Sequence, residues 1–368
     1  MQDKNLSLSR LAWQRFKRNT ISMVSLYMIV VLVLTSVFGY LFINDNSPNC
    51  NRQILEISML PPGSEVEFIK ISDEQQQTSK LSDFLVGFSK DYQLVPIQSF
   101  QINESTISYI PFSKNEEDEK ITKTIEKNNL YIDKNGHFTT RLHFWLGTDK
   151  FGRDILSRLI IGSRISLSVG FISVLISLLI GMSLGAISGY FGGKTDAIIM
   201  WLINVTWSIP TLLLVIAITL AIGKGFVQIF VAVGLTMWVE VARVVRGQVL
   251  SIRQKEYIEA GLVLGYSPTR IIFKHIIPNV TSPVIVISAA NFASAILMEA
   301  GLSFLGIGVQ PPTPSWGTMI KENYGYIVFD DAAYMAIIPG LAIMLLVLAF
   351  ILVGNGLRDA FDTKAGSY

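Results

Sequence analysis

The amino-acid sequence predicts an all-α polytopic membrane protein with six transmembrane helices and an enlarged, strand-containing extracytoplasmic domain between spans 1 and 2. Half of the 368 residues are hydrophobic and 16% are charged, whereas about a quarter of the residues in an average soluble domain are charged. The hydrophobic residues are also gathered in blocks of about 20, the length that a helix needs to cross a bilayer. A long polar segment interrupts these blocks once, after the first of them.

Composition also excludes several classes of function. The formal net charge of +2 gives no indication of nucleic-acid binding. Cys50 is the single cysteine, so the chain can form neither an internal disulfide nor a cysteine metal cluster. The three histidines are predicted to lie outside the spans, which argues against an enzyme embedded in the membrane; they are His137, His143 and His275. We therefore expect no catalytic residue, no metal site and no cofactor on this chain.

The first 43 residues predict a basic cytoplasmic segment and one span. Residues 1–20 are polar and basic and suit an amphipathic helix at the membrane surface. Residues 21–43 carry no charge and form the first predicted transmembrane helix. It is expected to be retained, because no small-residue cleavage site follows it. The basic residues before it predict a cytoplasmic amino terminus by the positive-inside rule.

Residues 44–162 are predicted to form the extracytoplasmic domain and an interfacial segment. Alternating side chains predict a strand over Glu65–Ile71, and residues 98–102 and 106–110 also favour strands. Asp133–Gly136 is typical of a hairpin turn. The domain is expected to end in an amphipathic helix that lies on the outer membrane face.

Residues 163–357 form the predicted transmembrane core, with five spans, and residues 358–368 form a predicted cytoplasmic tail. The spans are expected at 163–189, 197–222, 226–245, 282–305 and 333–353. Small residues recur every fourth position from Ser173 to Gly189, which predicts close packing against another helix. Pro210 is expected to bend the third span, because proline removes a helix hydrogen bond.

Polar residues inside the predicted spans are candidates for lining a translocation pathway. They are Asn204 and Pro210 in the third span and Asn291, Ser294 and Glu299 in the fifth. Three charged residues of the fourth span are expected near the cytoplasmic boundary, since a charge at the bilayer centre costs about 2.5–3.5 kcal/mol on insertion scales. They are Glu240, Arg243 and Arg246.

Residues 253–279, between the fourth and fifth spans, predict a cytoplasmic helix–turn–helix. The first helix is expected from Glu256 to Leu264, and Gly265 can supply the positive φ that ends it. Ser267 is typical of an N-cap and precedes a proline at the first helical position. Pro278 is predicted to end the second helix. One face of the first helix is expected to carry Tyr257, Ile258, Gly261 and Leu262.

This loop resembles the EAA loop of the permease subunits of binding-protein-dependent ABC importers. Glu259, Ala260, Gly265 and Pro278 are in register with the family pattern, while Gly261 replaces its second alanine. The resemblance implies an ATPase-coupling role for Glu256, Tyr257, Glu259, Ala260, Gly261, Gly265, Arg270 and Pro278.

Two further segments resemble the dipeptide/oligopeptide (peptide/nickel) branch of that family. The first contains Gly-Thr-Asp and Gly-Arg-Asp within residues 146–158, and the second is the proline-rich run at residues 305–317. The motif residues are Gly147, Asp149, Gly152, Arg153, Asp154, Gln310, Pro311 and Trp316. The sequence departs from the family in the greater length of its outer domain.

The resemblance implies the type I ABC importer permease fold and a permease subunit that translocates di- or oligopeptides. The peptides would be delivered by an extracytoplasmic solute-binding protein. It also implies two ABC ATPase subunits, a homologous second permease and membrane lipid as partners, in the bacterial cytoplasmic (inner) membrane with both termini in the cytoplasm. ATP hydrolysis is expected on the separate subunits. Gly193-Lys194-Thr195 resembles the end of a P-loop, but its first glycine is misplaced by one residue and no strand precedes it.

Two alternatives remain open at this point. A member of the same family could import nickel or another small solute, because nothing in this chain selects the substrate. A secondary transporter would need no ATPase, but such proteins have inverted repeats and charges buried in mid-span, which the sequence does not show.

Overall fold

The computed structural model describes residues 8–72, 87, 91–114, 121–133, 135–223 and 225–362. The chain divides into two compact units. The helical unit consists of Met1–Leu32, Ser166–Gln310 and Ala342–Tyr368, and the sheet unit consists of Val33–Ile165 and Pro311–Leu341. The ends of the predicted terminal segments, residues 1–7 and 363–368, lie outside the described residues.

Eleven α-helices are described. They are α1 (Leu8–Arg18), α2 (Thr20–Phe38), α3 (Ile155–Phe191), α4 (Gly193–Trp207), α5 (Thr211–Ile222), α6 (Phe226–Arg253), α7 (Glu256–Val263), α8 (Pro268–Ile271), α9 (Ile277–Phe304), α10 (Trp316–Asn323) and α11 (Tyr334–Phe361). Five helices of the described chain are long and apolar enough to cross a membrane, with α8 and α9 forming one continuous helix. The pair α4 and α5 makes a sixth if it is counted as one broken span.

The third predicted span is broken more sharply than a bent helix would be. Helices α4 and α5 meet at 92°, and Pro210 is the residue immediately before α5. The proline ring disfavours helical backbone at the preceding residue and offers no N–H to continue the hydrogen-bond ladder. The sequence therefore located the break, whereas the single bent helix that it predicted is two helices.

The small-residue stripe of α3 packs against α6, as its spacing predicts. A Cβ added to Gly181 would lie 2.6 Å from Cβ of Val241, and one added to Gly189 would lie 2.8 Å from Cβ of Val249. Such distances are far below van der Waals contact, so the two helices approach more closely than alanine would allow.

The predicted interfacial helix and second span are continuous in α3, and the predicted boundary at residue 162 falls inside this helix.

The amino-terminal helix α1 packs against the end of α11. Phe16 is 1% exposed, and a Cβ added to Gly356 would lie 3.1 Å from its ring. Arg15 donates a hydrogen bond to the carbonyl of Asp362 at 3.0 Å. The opposite side of α1 leaves Trp13 45% exposed, consistent with the predicted amphipathic pattern.

The sheet unit contains one five-stranded antiparallel sheet with strand order β4-β3-β2-β1-β5. The strands are β1 (Ser64–Ser72), β2 (Tyr92–Ile102), β3 (Thr106–Pro111), β4 (Lys123–Glu126) and β5 (Thr139–Phe144). Successive residues of β1 point to opposite faces, so Phe68 joins a core with Ile57 and Phe144, while Ile69 joins one with Ile97. The strands predicted at residues 65–71, 98–102 and 106–110 are all present.

The hairpin predicted around Asp133–Gly136 forms only as a turn. The N–H of Gly136 donates to the carbonyl of Asp133 at 2.9 Å, and Gly136 has a φ of 81°; Lys134 lies outside the described residues. The flanking residues do not form a hairpin, because β5 pairs with β1 instead. Lys70 also holds Asp133 at 2.9 Å, so a distant strand positions this turn.

Candidate functional site

The predicted coupling loop contains a helix that ends in a left-handed glycine. Helix α7 is followed by Gly265, with a φ of 76°. The N–H of Gly265 donates to the carbonyl of Leu262, and that of Tyr266 donates to the carbonyl of Gly261, both at 3.0 Å. This pair of bonds defines a Schellman motif, and it confirms the conformation that the sequence predicted for Gly265.

The second part of the loop begins as predicted but continues further. The Ser267 hydroxyl accepts the N–H of Arg270 at 3.4 Å, with Pro268 at the start of α8. A π-helical turn, Ile272–Ile276, then leads directly into α9. The prediction that Pro278 ends the helix is wrong: Pro278 lies inside the continuous helix, two residues after the π-helical turn.

An aromatic stack closes the turn between α7 and α8. The Arg270 guanidinium lies 3.9 Å from the centroid of the Tyr266 ring, and the His275 ring is stacked on Tyr266 at 5.9 Å. Tyr266 also covers Gly261, where an added Cβ would be 3.2 Å from the ring. Gly261, which departs from the family pattern, is therefore matched to the neighbouring tyrosine.

The loop separates a buried anchor from an exposed apolar surface. Ile258, Ile271 and Ile276 are at most 1% exposed and pack against the ends of α3 and α6. The exposed apolar side chains are Tyr257, Leu262, Val263, Leu264 and Phe273, with Val263 at 88% and Leu264 at 70%. Glu256, Glu259 and Ala260 are also exposed. The four residues predicted to share one face of α7 differ in burial, because Ile258 and Gly261 are buried whereas Tyr257 and Leu262 are exposed.

A cavity lies at the break between α4 and α5. Its lining residues come from α4, α5, α6 and α9; they are Thr206, Trp207, Thr211, Leu214, Thr236, Met237, Val239, Glu240, Ser294 and Met298. Of the residues predicted to line a pathway, only Ser294 lines this cavity, and Pro210 adjoins it at the break. Glu240 lies near the midpoint of α6, well before its end at Arg253.

The other predicted pathway residues have different surroundings. Asn204 accepts a hydrogen bond from Arg243 at 3.0 Å. Asn291 is 1% exposed and its side-chain nitrogen has no hydrogen-bond partner in the described structure. Glu299 is fully buried and accepts a hydrogen bond from Ser303 at 2.7 Å, and the Ser303 hydroxyl accepts the N–H of Val309 at 3.2 Å. Glu299 thus supports the segment after α9 and does not line the cavity.

The first outer motif forms a buried charge network in the sheet unit. Asp149 accepts a hydrogen bond from the Arg153 side chain at 2.7 Å, and Arg153 also bonds Glu322 at 2.6 Å. Arg158 reaches the same Glu322 oxygen at 3.2 Å. One carboxylate therefore bridges two buried guanidinium groups. Sequence reasoning missed Glu322, which is separated from Arg153 by 169 positions and belongs to no motif.

The two motif glycines allow the backbone to approach closely. Gly147 and Gly152 have φ values of 75° and 71°, and a Cβ on Gly152 would be 1.7 Å from the carbonyl oxygen of Ile54.

Asp154 caps the first turn of α3 by accepting the N–H of Ser157 at 3.1 Å. Burial raises the pKa of the Asp154 carboxyl to about 6, and one of its oxygens has no partner in the described structure.

The second outer motif divides between the two units. Trp316 is 1% exposed and its indole N–H donates to the carbonyl of Leu159 at 2.8 Å. Gln310 donates to the carbonyl of Gly308 at 2.8 Å, and both Gln310 and Pro311 are exposed. The motif residues therefore have structural contacts within each unit, and their functional role stays a prediction.

Comparison with known proteins decides the family. A family model described as the binding-protein-dependent transport system inner membrane component matches residues 181–366. The dipeptide transport system permease protein DppC of Lactococcus lactis subsp. cremoris is 32% identical over 362 residues, which cover 98% of this chain and 92% of that protein. This chain belongs to the family of binding-protein-dependent transport system inner membrane components. The permease branch that the loop and the outer motifs predicted is confirmed.

Other matches place the permease among peptide-transport relatives. A model of the N-terminal TM domain of oligopeptide transport permease C matches residues 7–62. The glutathione transport system permease protein GsiD of Pectobacterium atrosepticum is 44% identical over 223 residues, or 61% of this chain and 73% of that protein. Among solved structures, an inward-facing MetNI methionine ABC transporter matches 55% of this chain and 95% of its own, with 19% identity and a TM-score of 0.46.

The match to the Lactococcus permease includes the polar segment between the first two spans. Its 362 aligned residues cover 98% of this chain, so most of residues 44–162 must be aligned. The enlarged domain is therefore shared with that relative. The predicted polytopic permease fold with a strand-containing domain is confirmed, and its third span is broken into two helices.

Proposed function

We propose that this permease is the transmembrane subunit of an ATP-driven importer that translocates di- or oligopeptides delivered by an extracytoplasmic solute-binding protein. The printed names of its relatives refer to dipeptide, oligopeptide and glutathione transport. The partners in this proposal are a homologous second permease, two ABC ATPase subunits and the surrounding lipid. ATP hydrolysis takes place on the ATPase subunits, and this chain binds no cofactor.

The observation that carries the proposal is the anchored apolar surface of residues 256–273, which we call the coupling surface. Its exposed side chains include Val263, Leu264 and Phe273. Contiguous exposed apolar side chains rimmed by polar groups are typical of a protein-binding site, and Glu256 and Glu259 supply acidic groups on the same short helix. A basic groove on each ATPase subunit would complement this surface.

The anchor explains how motion of an ATPase would reach the spans. Ile258 and Ile271 are buried against Val249 and Val280 of the helices on either side of the loop. A close-packed interior transmits displacement, because its side chains have little free volume in which to rearrange. A push on the coupling surface would therefore move α6 and α9 and bias the complex between inward and outward access.

Orientation follows from the same proposal. The coupling surface and both termini would face the cytoplasm of a bacterium, and the sheet unit would carry the extracytoplasmic face. The basic residues around the loop, Arg253, Lys255, Arg270 and Lys274, agree with the positive-inside rule.

Co-purification of the complex from native membranes, followed by mass spectrometry, tests the proposed assembly. We expect two ATPase sequences or two copies of one, a second permease and a solute-binding protein. Uptake of labelled tri-alanine and of ⁶³Ni²⁺ by vesicles that contain the purified complex then separates peptide import from nickel import. Uptake without ATP, or a complex without an ATPase, would contradict the proposal.

A further inference from the structure

An acidic side chain of α6 faces the cavity between α4 and α5. Glu240 lines this cavity, is exposed in this chain and forms no hydrogen bond or ion pair with any residue that the structure describes. Charged residues of transmembrane helices usually face a cavity or the bundle interior and mark substrate pathways. The position of Glu240 therefore requires a reason.

The nearest cations on the same helix are directed elsewhere. The Arg243 guanidinium lies 3.4 Å from the centroid of the Trp207 ring and donates to Asn204. Arg246 forms two hydrogen bonds of 2.6 Å with Asp196. Neither guanidinium group forms an ion pair with Glu240, although Arg243 stacks on Trp207, a residue of the cavity wall.

The hydroxyl groups of the cavity wall add hydrogen-bond acceptors. The Thr206 hydroxyl donates its hydrogen to the carbonyl of Leu202 at 2.9 Å, and the Thr236 hydroxyl donates to Val233 at 2.8 Å. A hydroxyl has one hydrogen and two lone pairs, so these two groups can only accept further bonds. The sulfur atoms of Met237 and Met298 are weak acceptors as well.

The size of the cavity restricts what can enter it. Its volume is about 60 Å³, and about 10–15 Å³ of such volume is enough for one water molecule. A group of a few heavy atoms fits, whereas an entire peptide does not. A carboxylate would be repelled by Glu240, while an ammonium group supplies three donors and a positive charge.

We propose that Glu240 binds the α-ammonium group at the amino terminus of the translocated peptide, with Thr206 and Thr236 as additional acceptors. The proposal rests on peptide import as the function of the complex and adds a specificity-determining residue in a cavity of the transmembrane helices. The rest of the peptide lies outside this small cavity. Glu240 thereby favours substrates with a free amino terminus over those with a blocked one.

The test uses the whole complex in vesicles, with its solute-binding protein at saturating concentration. ATP-driven uptake of tri-alanine and of N-acetyl-tri-alanine is measured for the wild type, Glu240→Gln and Glu240→Asp. A hydrogen bond to a charged group contributes about 1.5–3 kcal/mol, which corresponds to at least about a tenfold change in rate. We expect Glu240→Gln to lower tri-alanine uptake by at least about tenfold without lowering uptake of the acetylated peptide, and Glu240→Asp to restore most of the loss.

A matched control is Glu126→Gln on the exposed strand β4, which should leave both uptake rates unchanged. Assembly and ATPase activity stimulated by the binding protein should be normal in every variant. Equal uptake of tri-alanine by the wild type and Glu240→Gln would overturn the role of Glu240 while leaving peptide import intact. Loss of the second permease from the Glu240→Gln complex would overturn it too, because Glu240 would then be a subunit-interface residue. Absence of tri-alanine uptake by the wild type would contradict the proposed function itself.

Discussion

The Tyr266 ring lies directly over Gly261, and a Cβ added to Gly261 would be 3.2 Å from the ring. The contact joins the last turn of α7 to the residue that follows its left-handed cap, so the two sides of the coupling loop are fitted to each other. Alanine at position 261 would require only a small shift of the half-buried ring, and it would gain about 1 kcal/mol of helix propensity over glycine.

We therefore expect Gly261→Ala to be tolerated and Gly261→Leu to displace Tyr266 from Arg270 and His275. The leucine variant should bind the ATPase subunits at least about tenfold more weakly, a loss of about 1.4 kcal/mol, because the displaced ring would change the shape of the coupling surface. Pull-down of the ATPase subunits with purified permease measures the effect. Equal binding by the leucine variant would show that this packing does not shape the surface.

The left-handed conformation of Gly265 gives a second prediction. Its φ of 76° is unfavourable for residues with a Cβ, by roughly 1–2 kcal/mol and more for a β-branched side chain. No neighbouring atom lies within 4 Å of an added Cβ, so strain would come from the backbone alone. We expect Gly265→Val to insert in membranes but to reduce ATPase binding and transport, whereas Gly265→Asn should retain both, because asparagine tolerates this conformation. Similar losses in the two variants would contradict the backbone explanation.

Charge reversal at Glu259 tests whether the ATPase surface that contacts it is positively charged. Glu259 is exposed on α7, and like charges brought together in an interface cost several kcal/mol. Glu259→Lys should therefore abolish most ATPase binding at low salt, with partial recovery as added salt screens the repulsion. The matched control Glu126→Lys, on exposed β4, should bind normally. Wild-type binding and transport by Glu259→Lys would show that the acidic group at position 259 has no role in binding the ATPase.

Asp154 predicts a pH dependence of stability in the sheet unit. Its folded pKa of about 6 lies above the ordinary value of 3.8, chiefly because of burial. The folded state then binds more protons than the unfolded state between about pH 4 and pH 6, so the free energy of unfolding falls as pH rises through this range. A shift of this size corresponds to a loss on the order of 2–3 kcal/mol by pH 7.

Asp154→Asn should remove this pH-dependent loss of stability, because asparagine does not titrate between pH 4 and pH 7. Its side-chain oxygen can still cap α3. The measurement is the thermal unfolding temperature of the wild type and of Asp154→Asn in detergent at pH 4.5 and pH 7.5. The difference in unfolding temperature between the two proteins should be smaller at pH 4.5. Asp133 has the opposite effect on stability, because its bond with Lys70 lowers the pKa of its carboxyl to about 2. Its contribution to the free energy of unfolding is present at neutral pH and is lost only below about pH 4. A pH-independent difference between the two proteins would contradict the raised pKa of Asp154.

The sequence by itself determined the features that depend on a few neighbouring residues. Gly265 ends its helix in a left-handed conformation and Ser267 caps the next one, because backbone strain and capping are properties of adjacent positions. Pro210 broke the third span for the same kind of reason. The length of the apolar blocks and the small-residue stripe of α3 likewise predicted the spans and their close packing.

Only the tertiary structure decided which distant side chains meet. Glu322 bridges Arg153 and Arg158, and no local pattern could pair residues so far apart in the chain. The sequence predicted only that Glu240 lies near the cytoplasmic boundary, whereas the packing of α6 against its neighbours shows that its side chain lines a cavity. Local propensity fixes where a helix starts and stops, whereas the neighbours of each helix face depend on packing against elements from the whole chain, which periodicity alone does not contain.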